Sequence, residues 1–471
     1  MKKNNKKLKI KKALNPVLLM VIVVCLCAIA TYIIPAGQYE IEYNEAVGKE
    51  TINPDSFMYI ERTPTTPFQL LQALTLGLQK GSYVIFFLLI IGGMFGILNG
   101  TGALNVGIAN LLKKMQGKEF LLIPILMIFF GCGSAFCGNF EEFLVFVPLI
   151  LACCITVGYD SITAVGIIFL AAAAGYGGGI TNTFTVGTAQ EIAGLPRFSG
   201  MGLRIILFVT LELASIIYVI LYTRLIKKNQ QLSISYDYDM EFNQDKKINL
   251  DIIPEFTLRQ LFVVIVFLTG IVFAVWGIIK MGYYVDELSG IFLAIGIIGG
   301  IVGGLKPAEI CDKFIKGCGD MLLPGVMIGL ANAAVLLLQN ANVMDTILKA
   351  LEGLLSNLPH TLMAGGMFLF HLIFNVVVPS GSAQANITMP IMTTLADSTE
   401  ITRQTAVLAY QLGDSFTNVL APTGGEILAA LAICKVPFSK WVKFLIPLFI
   451  IWCVIAFVFL VYATKSGYGP L

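Results

Sequence analysis

The stretch that most constrains the fold is 131–142, where glycines and two adjacent acids interrupt an apolar segment. The apolar arms on either side, roughly 119–130 and 143–157, are each shorter than the about 20 residues that cross a bilayer. This pattern predicts a re-entrant hairpin whose tip lies at membrane depth, where irregular backbone must be buried in protein or line a wet cavity. Carboxyl groups at that depth are costly without a positive partner, so Glu141 and Glu142 are candidate functional residues. The alternative is an ordinary membrane helix that is kinked at the glycines.

The composition of the chain places it in a membrane. Of its 471 residues, 57% are hydrophobic and 13% are charged, and the mean hydropathy is +0.83. Long apolar runs at this density exclude a soluble globular domain and predict an all-α polytopic membrane protein. The net charge of +2 gives no reason to expect nucleic acid as a partner. The partner that the composition requires is the lipid bilayer.

The N-terminus predicts the orientation of the chain. Seven lysines precede the apolar run 13–34, which is too long for a signal peptide and is followed by no convincing cleavage site. We therefore predict a first membrane helix, a cytoplasmic N-terminus and a multi-pass location in the cell (cytoplasmic) membrane. The ten cysteines lie mostly in apolar segments without metal-ligand spacing, so the sequence predicts neither a metal site nor a cofactor.

A duplication organises the rest of the chain. Three features recur about 240 residues later in the chain. Pro307 and Gly317 have the same spacing as Pro67 and Gly77. The hairpin 119–157 corresponds to 360–397, and the overlong crossing 160–195 corresponds to 402–435. Each overlong crossing is interrupted by a polar, glycine-containing stretch, at 177–188 and at 413–425. A near-constant offset indicates an internal repeat. We predict a first repeat at 1–226, a cytoplasmic linker at 227–257 and a second repeat at 258–471.

Basic clusters determine the expected topology. Those at 113–118, 224–228 and 435–443 should all lie in the cytoplasm. About nine transmembrane helices plus two re-entrant hairpins satisfy this condition, and the two repeats then have inverted topology. Transporters with inverted repeats bind substrate near the midplane, where the repeats meet. If the hairpin arms were full crossings, the charge rule could still be met locally.

Four irregular elements, the two hairpin tips and the two helix breaks, carry the polar side chains that could form a substrate site. We expect the substrate-binding residues to be Asn139, Glu141, Glu142, Thr181, Asn182, Thr183, Ser380, Gly381, Ser382, Gln384, Asp414, Ser415, Thr417 and Asn418. Half-helix N-termini suit a carboxylate. Acids without a fixed cation favour a positively charged substrate or coupled ion. A basic amino acid meets both conditions.

These assignments have structural alternatives. Asp414 could cap a half-helix instead of binding substrate. The threonines and asparagines at the breaks could serve only to satisfy freed backbone groups. Glu191 and Glu426, which lie beyond the breaks, are interpreted as gate or solvent-facing residues. His371 could relay protons, although a lone histidine in an apolar run is more often packed and neutral.

Several longer motifs point to one family. They are Gly-Asn-Phe-Glu-Glu at 138–142, Thr-Asn-Thr-Phe-Thr-Val-Gly-Thr-Ala-Gln at 181–190, Val-Pro-Ser-Gly-Ser-Ala-Gln at 378–384, Thr-Met-Pro-Ile-Met at 388–392 and Arg-Gln-Thr-Ala-Val-Leu-Ala-Tyr-Gln-Leu-Gly-Asp at 403–414. In these motifs the chain resembles the YfcC-type carriers, which are grouped with C4-dicarboxylate anaerobic carriers in the ion transporter superfamily and include arginine/ornithine antiporters. The resemblance implies an elevator-like movement of the hairpin-bearing region against a scaffold. Glu426 departs from the smaller residue expected at its position.

The sequence therefore predicts a secondary active transporter that exchanges basic amino acids, arginine for ornithine or a similar pair. The alternative is a Na⁺- or H⁺-coupled C4-dicarboxylate symporter in which the acids bind the coupling ion. A membrane-embedded hydrolase is disfavoured, because the sequence has neither a His-Glu-x-x-His motif nor a nucleophile elbow. We expect no enzymatic activity. A homodimer is compatible with the sequence but is not required by it.

Overall fold

The computed structural model describes residues 16–44, 49–53, 55–115, 117–248, 257–355, 358–399 and 401–469. Most of these residues are helical, and eight of the described helical segments are long and apolar enough to cross a membrane. The prediction of an all-α polytopic membrane protein is confirmed. The N-terminal lysines and the start of the first apolar run lie outside the described residues.

The helices fall into two successive sets along the chain. Those of the first part are α1 (Pro16–Ile33), α2 (Pro67–Lys80), α3 (Ser82–Gly100), α4 (Ala103–Lys114), α5 (Leu122–Cys137), α6 (Val147–Val157), α7 (Ser161–Gly178), α8 (Thr188–Ile192), α9 (Met201–Lys228) and α10 (Tyr236–Phe242). Those of the second part are α11 (Leu258–Met281), α12 (Val285–Val302), α13 (Pro307–Asp320), α14 (Leu322–Asn340), α15 (Met344–Leu355), α16 (His360–Val377), α17 (Gly381–Ser398), α18 (Arg403–Asn418), α19 (Gly425–Ile433) and α20 (Phe438–Ser466).

Short elements complete the fold. Short 3₁₀ helices lie at Glu119–Leu121, Glu141–Phe146, Gln230–Leu232 and Gln244–Lys246, and a π-helical turn lies at Thr183–Gly187. The strands between α1 and α2 are β1 (Gly37–Gln38), β2 (Ile41–Asn44), β3 (Lys49–Ile52) and β4 (Met58–Tyr59). β1 pairs antiparallel with β4, and β2 pairs antiparallel with β3.

The helix bounds repeat along the chain. α2 and α13 have 14 residues each and begin at 67 and 307, and α3 and α14 have 19 residues each and begin at 82 and 322. The elements that follow keep the same order as far as α9 and α20. This order supports the predicted repeat. The domain bounds and the inverted orientation stay predictions, and residues 249–256 of the expected linker lie outside the described residues.

Each half packs its first helices on the other half. α1 and α2 contact α14, and α12 and α13 contact α3 in the same way. A side chain at Gly77 would overlap the carbonyl oxygen of Gly329, and a side chain at Gly317 would overlap that of Gly92. Glycine lets the backbones approach this closely, and close contacts between small residues hold helices together in lipid. The proline–glycine spacing in the sequence therefore marks two equivalent helix crossings.

The centre of the molecule is formed by α7 and α18. All 18 residues of α7 and 14 of the 16 residues of α18 are buried. α7 contacts α5, α6, α9 and α18, while α18 also contacts α16, α17 and α20. Polar groups on such enclosed helices must find protein partners or face a cavity. Both helices end at a helix break, so the irregular backbone lies next to the core.

The first hairpin differs from its prediction. α5 continues through Gly131, and with the preceding 3₁₀ turn it spans 119–137, which is long enough to cross a membrane. Gly131 does not break the helix, because its backbone is packed directly against Gly175 of α7. The chain turns at Gly138, whose φ of 77° is left-handed. The expectation of a short first arm is therefore wrong, and the irregular tip is shorter than predicted.

The second hairpin has a shorter tip than predicted. Only residues 378–380 separate α16 from α17. Gly381, Ser382 and Gln384 consequently lie in the first turns of α17 rather than in an irregular tip. Their backbone amides therefore belong to a helix N-terminus.

Both helix breaks are present. The first occupies residues 179–182, within the predicted stretch. The second begins at Val419 instead of at 413, so Asp414 lies inside α18 and does not cap a half-helix. Gly413 stays helical because tertiary packing overrides its low helix propensity. At that position a side chain would overlap α16 at His371.

Candidate substrate-binding site

A cavity of about 280 Å³ lies where irregular elements of both halves meet. One side is formed by the turn of the first hairpin, the tip of the second hairpin and the ends of α7, α18 and α19, and the opposite side by α2, α3, α12 and α14. Small-molecule sites have volumes of about 300–1,000 Å³, so this cavity suits a molecule of amino-acid size. Six predicted site residues lie on its wall: Glu141, Glu142, Ser380, Gly381, Ser382 and Asn418.

Three carboxyl groups lie on this wall. Glu141 and Glu142 begin the 3₁₀ turn of the first hairpin, and Glu426 is the second residue of α19. The side chains of Glu141 and Glu426 lie within hydrogen-bonding reach of each other, and the turn of the first hairpin packs on α19. The carboxylate of Glu142 accepts a hydrogen bond from the backbone N–H of Phe140 at 3.1 Å. Glu142 is thereby held to its own turn, while Glu141 reaches the second half.

One ammonium group shares the cavity with these acids. Lys80, the last residue of α2, lines the wall, and its Nζ donates a hydrogen bond to Oε1 of Gln339 at 2.5 Å. The expectation of a site without a fixed cation is therefore wrong. The ionisable groups on the described wall are nevertheless predominantly acidic, with three carboxyl groups and one ammonium group.

Aromatic rings form part of the same wall. Tyr83, at the start of α3, and Tyr284, which precedes α12, are stacked with ring centroids 6.4 Å apart. Phe184, in the π-helical turn, lies 5.6 Å from the Tyr284 ring. Tyr176 lines the cavity from the end of α7. Because the faces of aromatic rings attract cations, these side chains and the acids together suit a positively charged group.

The second hairpin presents backbone amides to the cavity. Ser380 is the N-cap residue of α17, and it makes no side-chain capping hydrogen bond. The first amides of a helix lack intrahelical acceptors and carry a positive partial charge. Ser380, Gly381 and Ser382 all line the cavity. This end of the cavity therefore suits a carboxylate.

Two predicted site residues at the first helix break form hydrogen bonds with backbone groups. Oδ1 of Asn182 accepts hydrogen bonds from two amides of the π-helical turn, at 3.0 and 3.2 Å. The hydroxyl of Thr181 donates to the carbonyl oxygen of Phe136 at 2.8 Å. Thr183 is exposed and is not part of the cavity wall. Thr181 and Asn182 therefore have a structural role: they form hydrogen bonds with backbone groups that the helix break leaves free.

Polar residues near the second break tie helices together. The hydroxyl of Ser415 donates to a backbone carbonyl of α7 at 2.6 Å, and that of Thr417 donates to a carbonyl of α16 at 2.9 Å. Asn418 reaches the cavity, and its Oδ1 accepts a hydrogen bond from Nδ2 of Asn375 at 2.8 Å. Of these three, only Asn418 is placed to contact a bound molecule.

Asp414 lies behind the cavity wall. Its side chain is fully buried, and neither carboxyl oxygen has a hydrogen-bond partner among the described residues. A Cβ atom at Gly381 would lie 2.8 Å from its Oδ2 and 3.0 Å from the Tyr176 hydroxyl. Glycine at 381 therefore allows the hairpin tip to approach Asp414 closely.

Asn139 and Gln384 are also buried away from the wall. The side chain of Asn139 forms a hydrogen bond with Glu142. Nε2 of Gln384 lies 3.0 Å from Nδ1 of His371, which is itself fully buried. Asn139 thus supports a wall residue, Glu142, and Gln384 contacts a histidine behind the wall, but neither predicted site residue lines the cavity.

Several wall residues are not found by sequence reasoning, namely Lys80, Tyr83, Tyr284 and Glu426. Glu426 is interpreted from the sequence as a gate or solvent-facing residue, although its place just after a helix break could have marked it as a site residue. Lys80 and Tyr83 belong to regular helices. They carry no local sequence signal, because only the packing of the two halves brings them to the cavity.

Comparison with known proteins identifies the family. The C4-dicarboxylate anaerobic carrier family matches residues 15–465. The chain belongs to this family. This carrier is 33% identical over 458 residues to the Escherichia coli (strain K12) protein "Putative basic amino acid antiporter YfcC", covering 89% of this chain and 90% of the relative. It is 32% identical over 410 residues to an uncharacterized protein of Haemophilus influenzae, covering 86% of this chain and 80% of the relative.

Solved structures of transporters also align with this carrier. The YdaH transporter of Alcanivorax borkumensis has 15% identity and a TM-score of 0.41, with 97% of this chain and 100% of that chain covered. MtrF of Neisseria gonorrhoeae has 15% identity and a TM-score of 0.42, with 98% of each chain covered. Family membership and the apolar helices together establish a multi-pass membrane transporter with a small-molecule substrate.

Proposed function

We propose that this carrier exchanges basic amino acids across the cytoplasmic membrane, with arginine and ornithine as the expected pair. The observation that carries the proposal is the acidic cavity wall, where Glu141, Glu142 and Glu426 outnumber the described ammonium group of Lys80. Desolvated carboxylates are costly without a positive partner, which the side chain of a basic amino acid would supply. The name of the E. coli relative agrees with this substrate class. Transport leaves the substrate chemically unchanged, so we propose no enzymatic activity.

The two ends of the cavity give the substrate an orientation. Its side-chain cation would lie between the acids and the rings of Tyr83 and Tyr284. Its α-carboxylate would accept hydrogen bonds from the first amides of α17 and from the hydroxyls of Ser380 and Ser382. A site that binds both charged ends would favour zwitterionic amino acids over simple amines.

The position of the cavity supports an elevator-like movement. α1 and α2 pack on α14, and α12 and α13 pack on α3, which forms a candidate scaffold. The hairpins pack instead with α7, α9, α18 and α20, which form a candidate moving unit. The cavity lies between these two groups, so movement of one against the other would carry the substrate across. Inverted repeats, a cytoplasmic N-terminus and a homodimer stay predictions that accompany this proposal.

The second candidate is an ion-coupled C4-dicarboxylate symporter. The observation that favours it is Lys80, which together with the N-terminus of α17 offers two positive features to a molecule with two carboxylates. The three acids would then bind the coupling ion. We prefer the antiporter, because the dicarboxylate would have to lie beside those acids.

Counterflow in proteoliposomes tests the proposal. Liposomes preloaded with ornithine should take up labelled arginine without an ion gradient, and liposomes without internal amino acid should take up less. Labelled succinate is the parallel substrate. Gradient-driven succinate uptake without an arginine signal would overturn the antiporter and support the symporter.

Variants test the acidic site within the same assay. Glu141→Gln, Glu142→Gln and Glu426→Gln should each lower the efficiency of arginine uptake by about tenfold or more, because a lost hydrogen bond to a charged group costs about 1.5–3 kcal/mol and 1.4 kcal/mol is about tenfold. Glu191→Gln is the matched control, since Glu191 lies outside the cavity wall and pairs with Arg197 at 3.0 Å. Wild-type uptake by all three cavity variants would show that the acids do not bind substrate.

A further inference from the structure

Two carboxyl groups from opposite halves of the molecule meet in the cavity. Glu141 belongs to the turn of the first hairpin and Glu426 belongs to α19. These two elements pack together, and both side chains line the same cavity within hydrogen-bonding reach of each other. An ionised carboxylate can only accept hydrogen bonds, so a bond between two carboxyl groups requires one proton. Without that proton the two like charges would repel each other at close range. Two carboxyl groups held this close in one cavity are therefore expected to be one carboxylic acid and one carboxylate.

The other ionisable groups around the pair do not neutralise its charge in place of this proton. The ionisable side chains that face it from neighbouring elements are Lys80 of α2, Tyr83 of α3, Glu142 of the hairpin turn, Tyr176 of α7 and Tyr284 at the start of α12. Lys80 is the one cation among these described groups, and its ammonium donates to Gln339. Glu142 adds a further acid, held by the amide of Phe140.

We propose that one proton shared by Glu141 and Glu426 occupies the empty carrier, and that the cationic side chain of the substrate displaces it. This inference rests on the proposed function, because it requires a positively charged substrate. On binding, the carboxyl O–H bond breaks, the proton passes to water in the cavity, and the two carboxylates face the incoming cation. One positive charge enters as one leaves, so the charge of the site is unchanged.

Conservation of charge has a consequence for transport. A carrier that is empty but protonated holds the same charge in its cavity as a loaded carrier. It can therefore reorient without substrate, because its cavity carries no more net charge than the cavity of the loaded carrier. Exchange of a basic amino acid for a proton becomes available in addition to exchange of one amino acid for another.

Proton release on binding tests the inference. Purified carrier in weakly buffered detergent solution is titrated with arginine, and released protons are measured with a pH-sensitive dye. Binding is measured in parallel by calorimetry in two buffers of different ionisation enthalpy. We expect the wild-type protein to release about one proton per arginine bound, as the shared proton requires. Arginine binding without proton release would overturn the inference, and absence of arginine binding would instead contradict the proposed function.

Variants identify the source of the proton. Glu141→Gln and Glu426→Gln should each bind arginine more weakly and release no proton, because an amide on either side removes the shared proton. Glu191→Gln should release as much as the wild-type protein. Release that persists in both cavity variants would place the proton elsewhere and contradict the assignment. If a variant does not fold, the wild-type measurement still decides.

Discussion

At the scale of single residues, Arg403 joins three helices by direct contacts. Its Nε and Nη2 donate to the two carboxyl oxygens of Asp397 at 2.8 and 2.7 Å. Its Nη1 donates to the carbonyl oxygen of Ala193 at 2.9 Å. The end of α17, the start of α18 and the end of α8 are thereby linked through one guanidinium group.

The ion pair predicts a dependence of stability on pH. Hydrogen bonds and charge from Arg403 lower the pKa of Asp397. A lowered folded-state pKa stabilises the protein above the unfolded value of about 3.9, and this contribution is lost as pH falls through the folded value. Both side chains are exposed, so Asp397→Asn should destabilise the carrier by less than about 1 kcal/mol at neutral pH. Thermal unfolding in detergent would show the difference from the wild-type protein disappearing in acid.

A matched variant controls this measurement. Asp320→Asn removes an exposed carboxyl group that forms no ion pair with a described residue. It should leave the melting temperature unchanged across the same pH range. An equal loss of thermal stability in both variants would mean that the ion pair between Asp397 and Arg403 contributes nothing specific.

The residue scale also shows what a sequence can and cannot predict. Glu141 and Glu142 are recognisable because acids are rare in apolar segments, and the structure places both on the cavity wall. Asp414 has the same signal but lies behind the wall, because the second break begins five residues beyond it. Whether an acid faces a cavity depends on helix rotation and on the packing of neighbouring helices. Neither can be obtained from the composition of its own segment.

At the scale of helices, the crossings at Gly77 and Gly317 bring the backbones of the two halves into direct contact. Their ten-residue spacing from a proline makes these helices recognisable in the sequence. The bounds of α2, α3, α13 and α14 repeat for the same reason, since equivalent helices make equivalent crossings. The first hairpin arm is less predictable: Gly131 weakens a helix in isolation, but close packing against α7 keeps it helical.

Alanine substitutions test these crossings within one helix. Gly317→Ala should destabilise the carrier by about 1–3 kcal/mol, because the added methyl group would overlap the backbone of α3. At Gly319, also in α13, no described heavy atom lies within 4 Å of the added methyl group. Gly319→Ala should therefore be neutral or slightly stabilising, since alanine favours a helix by about 0.5–1 kcal/mol. Melting temperatures in detergent compare the two, and equal losses would rule out a close crossing at Gly317.

At the scale of the whole molecule, the two halves form one structure. The cavity receives side chains from both repeats, and neither repeat alone contains all of its wall. The expected fold class could be predicted because hydropathy and the repeat extend over the whole chain. The composition of the cavity could not, since Lys80 and Tyr284 reach it only through contacts between the halves.

Inverted topology predicts labelling from opposite sides of the membrane. Gln72 on α2 and Asp312 on α13 are both exposed and lie 240 residues apart. In a background without the ten native cysteines, Gln72→Cys should react with a membrane-impermeant maleimide in intact cells. Asp312→Cys should react only after permeabilisation. Arginine counterflow confirms that both variants are folded, and labelling of both positions from one side would contradict inverted repeats.

The reciprocal packing of α2 on α14 and of α13 on α3 determines how the chain can mature during synthesis. When the first half has entered the bilayer, α2 lacks its main partner until α14 is made, and most of the packing of α3 waits until α12 and α13 arrive. The first half is therefore an unfinished intermediate for as long as the ribosome is translating the second. The two repeats of this carrier complete their folding together.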